Sequence, residues 1–281
     1  MSQFVANVLY TLQQQVPRLI KLARDRQSAN DPTQTWELMK SSKRCDVIRL
    51  LDGTEEKDPG SIRFVCIGDT HNLTGGFEKQ IPAGDVLIHA GDFTNVGESS
   101  DVIAFNDFLE KLPHKHKIVI AGSHDLSFDT STFDSTFPRF CRGNIEEHRN
   151  AKSLLTNCTY LEDSGVEIYG IKIWGSPWTP WFHNWAFNVE RGDECRSKWD
   201  LIPDDVDILI THGPPLGFGD LSQDGQRAGC LDLLRAVQVH NHGSVASIQL
   251  CCGIIRLEKR ADSAVLLGAS KAFAPCLWAR S

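Results

Sequence analysis

The sequence predicts a layered α/β fold. Three observations carry that prediction. Short runs rich in Val and Ile, each of strand length, begin at residue 62 and recur to residue 267. Several are apolar at consecutive positions, which suits strands buried on both faces. Helical patterns lie between them, at Ser100–Leu112 and Gly229–Val237, and alternating strands and helices pack as layers.

The elements follow in chain order. Phe4, Val5, Val8, Leu9, Leu12, Val16, Leu19, Ile20 and Leu22 recur at helical spacing and predict an amphipathic helix over residues 3–25. Two readings of it stay open: a helix packed on the domain, or one offered to a partner. A polar stretch without clear periodicity runs from Asp25 to Thr35. Asp52 to Ser61 is charged and carries Pro59-Gly60, so it reads as a linker. Residues 1–60 are therefore expected to form a helical extension and linker, and residues 61–281 the main domain. The predicted strands are Ile62–Ile67, Val86–His89, Lys117–Ala121, Ile168–Trp174, Val206–Ile210, Ser247–Cys251 and Ala264–Leu267.

Composition narrows the function. Of 281 residues, 41% are hydrophobic and 23% charged, which excludes a largely disordered chain. Lys and Arg total 29 against 36 Asp and Glu, a net charge of −7. That balance argues against broad nucleic-acid binding, which needs a basic face. No apolar run is long enough for a membrane helix. The first fifteen residues lack the basic start of a signal peptide. Nine scattered cysteines without a paired CxxC look like buried thiols of a reducing compartment. The expectation is a cytoplasmic protein without membrane contact. The oligomeric state is not legible.

The chemistry gathers at strand ends. Ile62–Ile67 runs into Gly68-Asp69-Thr70-His71, Val86–His89 into Ala90-Gly91-Asp92, Lys117–Ala121 into Gly122-Ser123-His124-Asp125, and Val206–Ile210 into Thr211-His212-Gly213. Ligands of open α/β sheets bind outside the carboxyl ends of the strands. Asp and His without thiolates suit Mn²⁺, Fe or Zn²⁺, and a carboxylate such as Asp92 can bridge two ions. Each cluster alone is a common turn or a hydrogen-bonded histidine. Four of them, in order and each behind a buried strand, point to a metal site.

GDTH, HAGDFT, GSHD and THGPP together resemble the calcineurin-like metallophosphoesterase superfamily. FNDFL followed by KIVIAG, then GSPWTPWF and THGPPLGF, resemble more closely its metallophosphoesterase-domain-containing family of animal brain. The resemblance covers roughly residues 61–270. It implies a four-layer α/β/β/α sandwich. It also implies a hydrolase, a phosphodiesterase or phosphomonoesterase, that attacks phosphorus with hydroxide activated by two metal ions. The substrate would be a small phosphoester or a nucleotide. Carried over by motif, Asp69 and His71 hold the first ion, Asp92 bridges, and His212 holds the second. His124 protonates the leaving oxygen or donates a hydrogen bond, and Asp125 orients it.

The sequence also departs from the pattern. Ser123 stands where the family has a metal-binding Asn, and its hydroxyl is a shorter ligand. The family's closing Gly-His-x-His falls on Gly253-Ile254-Ile255-Arg256, where neither Ile254 nor Arg256 can ligate a metal. A rival placement uses His240-Asn241-His242, 28 residues after His212, but follows no apolar strand. Arg256 reads either as a substrate-binding guanidinium, able to grip phosphate bidentately, or as a surface residue. Trp174, Trp178, Trp181, Trp185 and Trp199 read mostly as packing, with one or two open to a pocket role. Two functions stay open: a metal-dependent phosphoesterase of reduced activity holding two ions or one, and a catalytically degenerate nucleotide-binding or scaffold protein.

Overall fold

The computed structural model describes residues 30–40, 60–73, 75–141, 144–222, 224–239, 246–248, 255–260 and 263–267, the last three by backbone alone. The expected helix over 3–25, most of the linker, the His240-Asn241-His242 motif and Ile254 lie outside the described residues.

Strands β1 (Ile62–Ile67), β2 (Val86–His89), β3 (His116–Val119) and β4 (Thr159–Tyr160) pair in parallel. A second sheet begins with the hairpin β5 (Ser164–Ile168) and β6 (Ile171–Ser176). The short β7 (Thr179–Pro180) and β8 (Asn188–Val189) pair apart from both sheets. Strands β9 (Ile208–Thr211) and β10 (Ala246–Ile248) extend the second sheet in parallel to β6, in the order β10-β9-β6-β5. The chain then returns to the first sheet with β11 (Ile255–Arg260), antiparallel to β1, and β12 (Ser263–Leu267).

Alternation along β1 explains the layers. Val65 and Ile67 face one way, into a core with Val102, Phe105 and Leu109 of helix α2 (Ser99–Lys111) and Phe133 and Phe137 of helix α3 (Phe133–Phe140). Phe64 and Cys66 face the other way and pack with Ile88 and Ile120 against Ile171, Ile173, Ile208 and Ile210 of the second sheet. The far face of that sheet sends Leu209 against Cys195 and Trp199 of helix α4 (Asp193–Trp199) and Leu233 of helix α5 (Leu231–Val239). β1, β2 and β9 are covered on both faces and read as continuous apolar runs, whereas β5 and β6 alternate buried residues with more exposed ones. The result is the expected α/β/β/α sandwich.

Two local features differ from the sequence reading. Ile168–Trp174 is two strands: Ile168 pairs with Ile171 across Tyr169 and Gly170, with φ of 56° and 75°. Positive φ at both central residues is the tight hairpin turn whose twist suits the flanking strands. The stretch without periodicity, Asp25 to Thr35, runs into helix α1 (Pro32–Met39), with Asp31 Oδ1 accepting from the Gln34 amide at 2.8 Å and Pro32 at the first position. Trp36 carries α1 onto the domain, edge-on to Phe218 at 5.8 Å and under the Arg227 guanidinium at 4.9 Å. Gly217 is required there, since a Cβ would come within 1.9 Å of the Trp36 ring.

Phe105 is fully buried and stacks on Phe93 at 4.5 Å. Phe105→Ala is expected to cost about 3–5 kcal/mol, read as a lower urea midpoint with the slope unchanged.

Candidate metal centre

The carboxyl ends of β1, β2, β3 and β9 meet around one segment, residues 90–95. Its backbone takes up the loop after β1: the amides of Asp69, His71 and Asn72 donate to the carbonyls of Gly91, Asp92 and Phe93 at 3.0, 3.0 and 3.1 Å. Asp69, His71, Asn72 and Asp92 are left-handed, with φ of 50°, 41°, 63° and 56°. Such conformations cost on the order of 1 kcal/mol or more each and persist where surrounding bonds impose them. Gly91 (φ 97°) lets this segment touch the loop after β3, where a Cβ would meet Gly122 Cα at 2.7 Å.

The same segment holds three imidazoles by their outer nitrogens. His212 Nδ1 donates to the Ala90 carbonyl at 3.0 Å, and His124 Nδ1 to that of Asn95 at 2.8 Å. His71 bonds the backbone of Thr94. Anchoring one ring nitrogen on a carbonyl fixes the tautomer and leaves the other for a metal or a substrate. In the middle stands the Asp92 carboxylate. Its Oδ1 accepts the His124 amide at 2.8 Å and lies 3.3 Å from His212 Nε2, while Oδ2 lies 3.7 Å from His71 Nε2. The Ser123 hydroxyl is 3.5 Å from both oxygens.

The electrostatics follow. Burial opposes the Asp92 charge, but His212, His124 and His71 together hold its carboxyl below the usual range. Burial likewise opposes a charged His212, yet Asp92 and Asp69 hold its imidazole above its ordinary value. His71 is shifted down, by burial first and by the neighbouring imidazoles, against the pull of Asp92. Metal binding needs the neutral imidazole, so a cation entering this space competes with the proton that Asp92 and Asp69 favour on His212.

Donor atoms converge in two groups that share Asp92. Asp69, Asp92 and His212 form one and His71, Asp92 and His124 the other, with the atoms of each group within 4.8 Å of one another. Oxygen and imidazole donors around a shared carboxylate fit divalent Mn, Fe or Zn. Six of the residues singled out by sequence, Asp69, His71, Asp92, Ser123, His124 and His212, thus come together. Asp69 and His71 fall in different groups rather than one. Asp125 takes another position than the one expected. Its buried carboxylate accepts from the amides of Asp92, Thr94 and Gly122 at 2.8–2.9 Å and from Thr94 Oγ1 at 2.7 Å. It ties the β2 and β3 loops together, and Asn95 meets the His124 ring instead. Burial and then Asp92 push the Asp125 carboxyl up to about 7, against the pull of those donors. Arg256 pairs with Val65 near the β11 end that flanks this edge, and its side chain lies outside the described residues.

Sequence reasoning passed over His89, and left open which of the clustered tryptophans lies at the site. His89 is fully buried at the end of β2, accepts from the Gly91 amide at 3.3 Å and meets Thr70 Oγ1 at 3.0 Å. It joins the two ligand-bearing loops from beneath. A histidine closing an apolar parallel strand needs polar partners, and that was the available signal. Of the clustered tryptophans, Trp199 is core, Trp174 and Trp178 pack against it, Trp181 is exposed, and Trp185 stacks on His124 at 4.0 Å.

The family model of the calcineurin-like phosphoesterases matches residues 62–242. The human protein metallophosphoesterase domain-containing protein 1 is 52% identical over 190 residues, covering 65% of this chain and 58% of its own length. A UPF0046 protein of Caenorhabditis elegans is 41% identical over 216 residues, covering 75% of this chain and 76% of its own. This chain therefore spans a little over half the length of the human relative. No helix among the described residues is long and apolar enough to cross a membrane.

Two outcomes are expected. A Cβ on Gly122 would meet Asp92 Oδ1 at 2.3 Å and His212 Cε1 at 2.6 Å. Gly122→Ala should therefore weaken Mn²⁺ binding at least tenfold by calorimetry, about 1.4 kcal/mol. Burial lowers the His89 pKa from 6.5 to about 3, so the folded state keeps it neutral. Its contribution to stability is complete above 6.5 and is lost as pH falls from there toward 3. His89→Phe should flatten that part of the curve of unfolding free energy against pH.

Proposed function

Because the chain belongs to the calcineurin-like phosphoesterase family, we propose that it is a metal-dependent phosphoester hydrolase of reduced activity. The observation that carries this reading is the Asp92 carboxylate, shared by two groups of three donors. Divalent ions held there supply positive charge to the phosphate oxygens and acidify the attacking water. The residues of the chain do the rest. Asp69, Asp92 and His212 hold one side of the site, and His71 and Asp92 the other. His124, held by Asn95 at Nδ1, presents Nε2 to the leaving oxygen as the proton donor. Asp125 keeps the β2 and β3 loops in register so that Asp92 and His124 stay together. The substrate is a small phosphodiester or nucleotide. Arg256, close to this edge in register, is a candidate for its phosphate. Reduced activity follows from Ser123, whose hydroxyl stands where the family has an amide ligand, and from Ile254 and Arg256 in place of its histidines.

Ser123 also favours a second reading, a degenerate relative that binds a nucleotide or a partner with little turnover. Hydrolysis of diphenyl phosphate with Mn²⁺, an ester whose phenolate leaving group needs a proton, separates the two. The hydrolase reading expects turnover by the wild type and a loss of about 10²–10⁴-fold in His124→Ala, with a loss at least as large in Asp92→Ala. A wild type no faster than either variant, with Mn²⁺ bound, overturns it in favour of the binder.

A further inference from the structure

His124 is held on its face as well as at Nδ1. Trp185 stacks on the imidazole with centroids 4.0 Å apart and planes 23° apart. Phe140 stacks on Trp185 in turn, at 4.3 Å and 21°. The edge of the assembly is closed by His71, perpendicular to His124 at 4.6 Å and 83°. Phe140 is exposed, so the stack runs from the surface to the candidate site. The segment bearing Trp185 is itself anchored beside His124. The amide of Ala186 donates to the Ser123 carbonyl at 3.0 Å, and that of Phe187 to Asp129 Oδ2 at 2.9 Å. Neighbouring Trp181 and Phe182 point outward instead, at 51% and 43% exposure.

A ring tied at a single nitrogen can still tilt about that bond. Proton transfer tolerates little tilt, because Nε2 must lie within hydrogen-bond reach of the leaving oxygen and in line with it. A near-parallel indole at 4.0 Å removes that freedom while leaving both ring nitrogens clear.

We propose that Trp185 is a positioning residue, which fixes the His124 imidazole by stacking so that Nε2 can protonate the leaving group. The proposal rests on the reading of His124 as the proton donor. Trp185 touches neither substrate nor metal in this role, and acts through His124 alone. Phe at this position keeps an aromatic face, whereas Leu keeps bulk without one.

The test compares Trp185→Phe and Trp185→Leu on two esters. p-Nitrophenolate leaves bis-p-nitrophenyl phosphate without needing a proton, whereas phenolate, a stronger base, leaves diphenyl phosphate with the help of one. Trp185→Leu is expected to lower kcat on diphenyl phosphate roughly 10- to 100-fold, a large part of the gain a general acid supplies, with KM unchanged. On bis-p-nitrophenyl phosphate it should fall by less than about threefold, and Trp185→Phe should stay near wild type on both. Equal losses on the two esters, or none, overturn the proposal, since a merely structural role would affect both alike. A second readout needs no turnover. With ¹⁵N-labelled histidine, the ring Nδ1–H that donates to Asn95 should be protected from exchange in wild type and Trp185→Phe. His124→Gln assigns the signal by removing it. Trp185→Leu should lose the protection, and its survival there overturns the proposal. A wild type without turnover would count against the hydrolase reading, while the protected proton would still decide the role of Trp185.

Discussion

Everything at the candidate site depends on the burial of one carboxylate. Asp92 is almost wholly withdrawn from solvent, and an uncompensated charge there would cost several kcal/mol. Compensation comes from one amide and from imidazoles contributed by three other strand ends. The segment that carries Asp92 also supplies the carbonyls that orient those imidazoles. Charge and orientation are therefore set by the same six residues. The left-handed backbone at Asp69, His71 and Asp92 is what this arrangement requires, and the bonds between the loops hold it.

The sandwich exists, for this purpose, to bring His212 to Asp92. Asp69, His71, Asp92 and His124 follow strands of the first sheet, but His212 follows β9 of the second. The two sheets meet through an apolar core that includes Phe64, Cys66, Ile88 and Ile120 on one side and Ile171, Ile173, Ile208 and Ile210 on the other. Those side chains are close-packed, and interiors of that density transmit displacement rather than absorb it. A change of one methylene in the inter-sheet core is thus felt at the His212–Asp92 distance. Beneath, His89 and Asp125 act as buried polar ties between loops. Each is satisfied by several partners, the condition under which a buried polar group rigidifies rather than destabilises.

Much of this was legible in the chain. The buried strands announce themselves because Phe64-Val65-Cys66-Ile67 and Val86-Leu87-Ile88 leave no polar face, and β1 and β2 begin and end as predicted. The site was legible because each strand is followed at once by Asp or His. Three things were not. The hairpin at Tyr169-Gly170 hides inside one apolar run, because a left-handed Tyr gives no compositional mark. Helix α1 is too short for periodicity, and its meaning lies in Trp36 meeting a glycine 181 residues away, at 217. The role of Asp125 was misjudged because adjacency in sequence suggested His124 as its partner. A residue next in sequence points elsewhere, and the carboxylate found the amides of the facing loop.

Charge decides what the finished cleft attracts. Two carboxylates, Asp69 and Asp92, face the donor groups, and the imidazoles bind metals in their neutral form. One divalent ion balances that pair and leaves nothing over for an anion. Two ions leave a net charge of about +2, enough to draw and hold a phosphoester. On a chain of net charge −7, long-range attraction for an anion must come from such a local excess. The residue at position 123 therefore bears on more than geometry. In the proposed hydrolase, a serine hydroxyl where the family resemblance places an amide oxygen would weaken the hold on the second ion, and with that ion would go the excess charge. Loss of one neutral donor would in this way be amplified into loss of phosphate affinity, which makes metal occupancy the quantity that separates the proposed hydrolase from a silent fold.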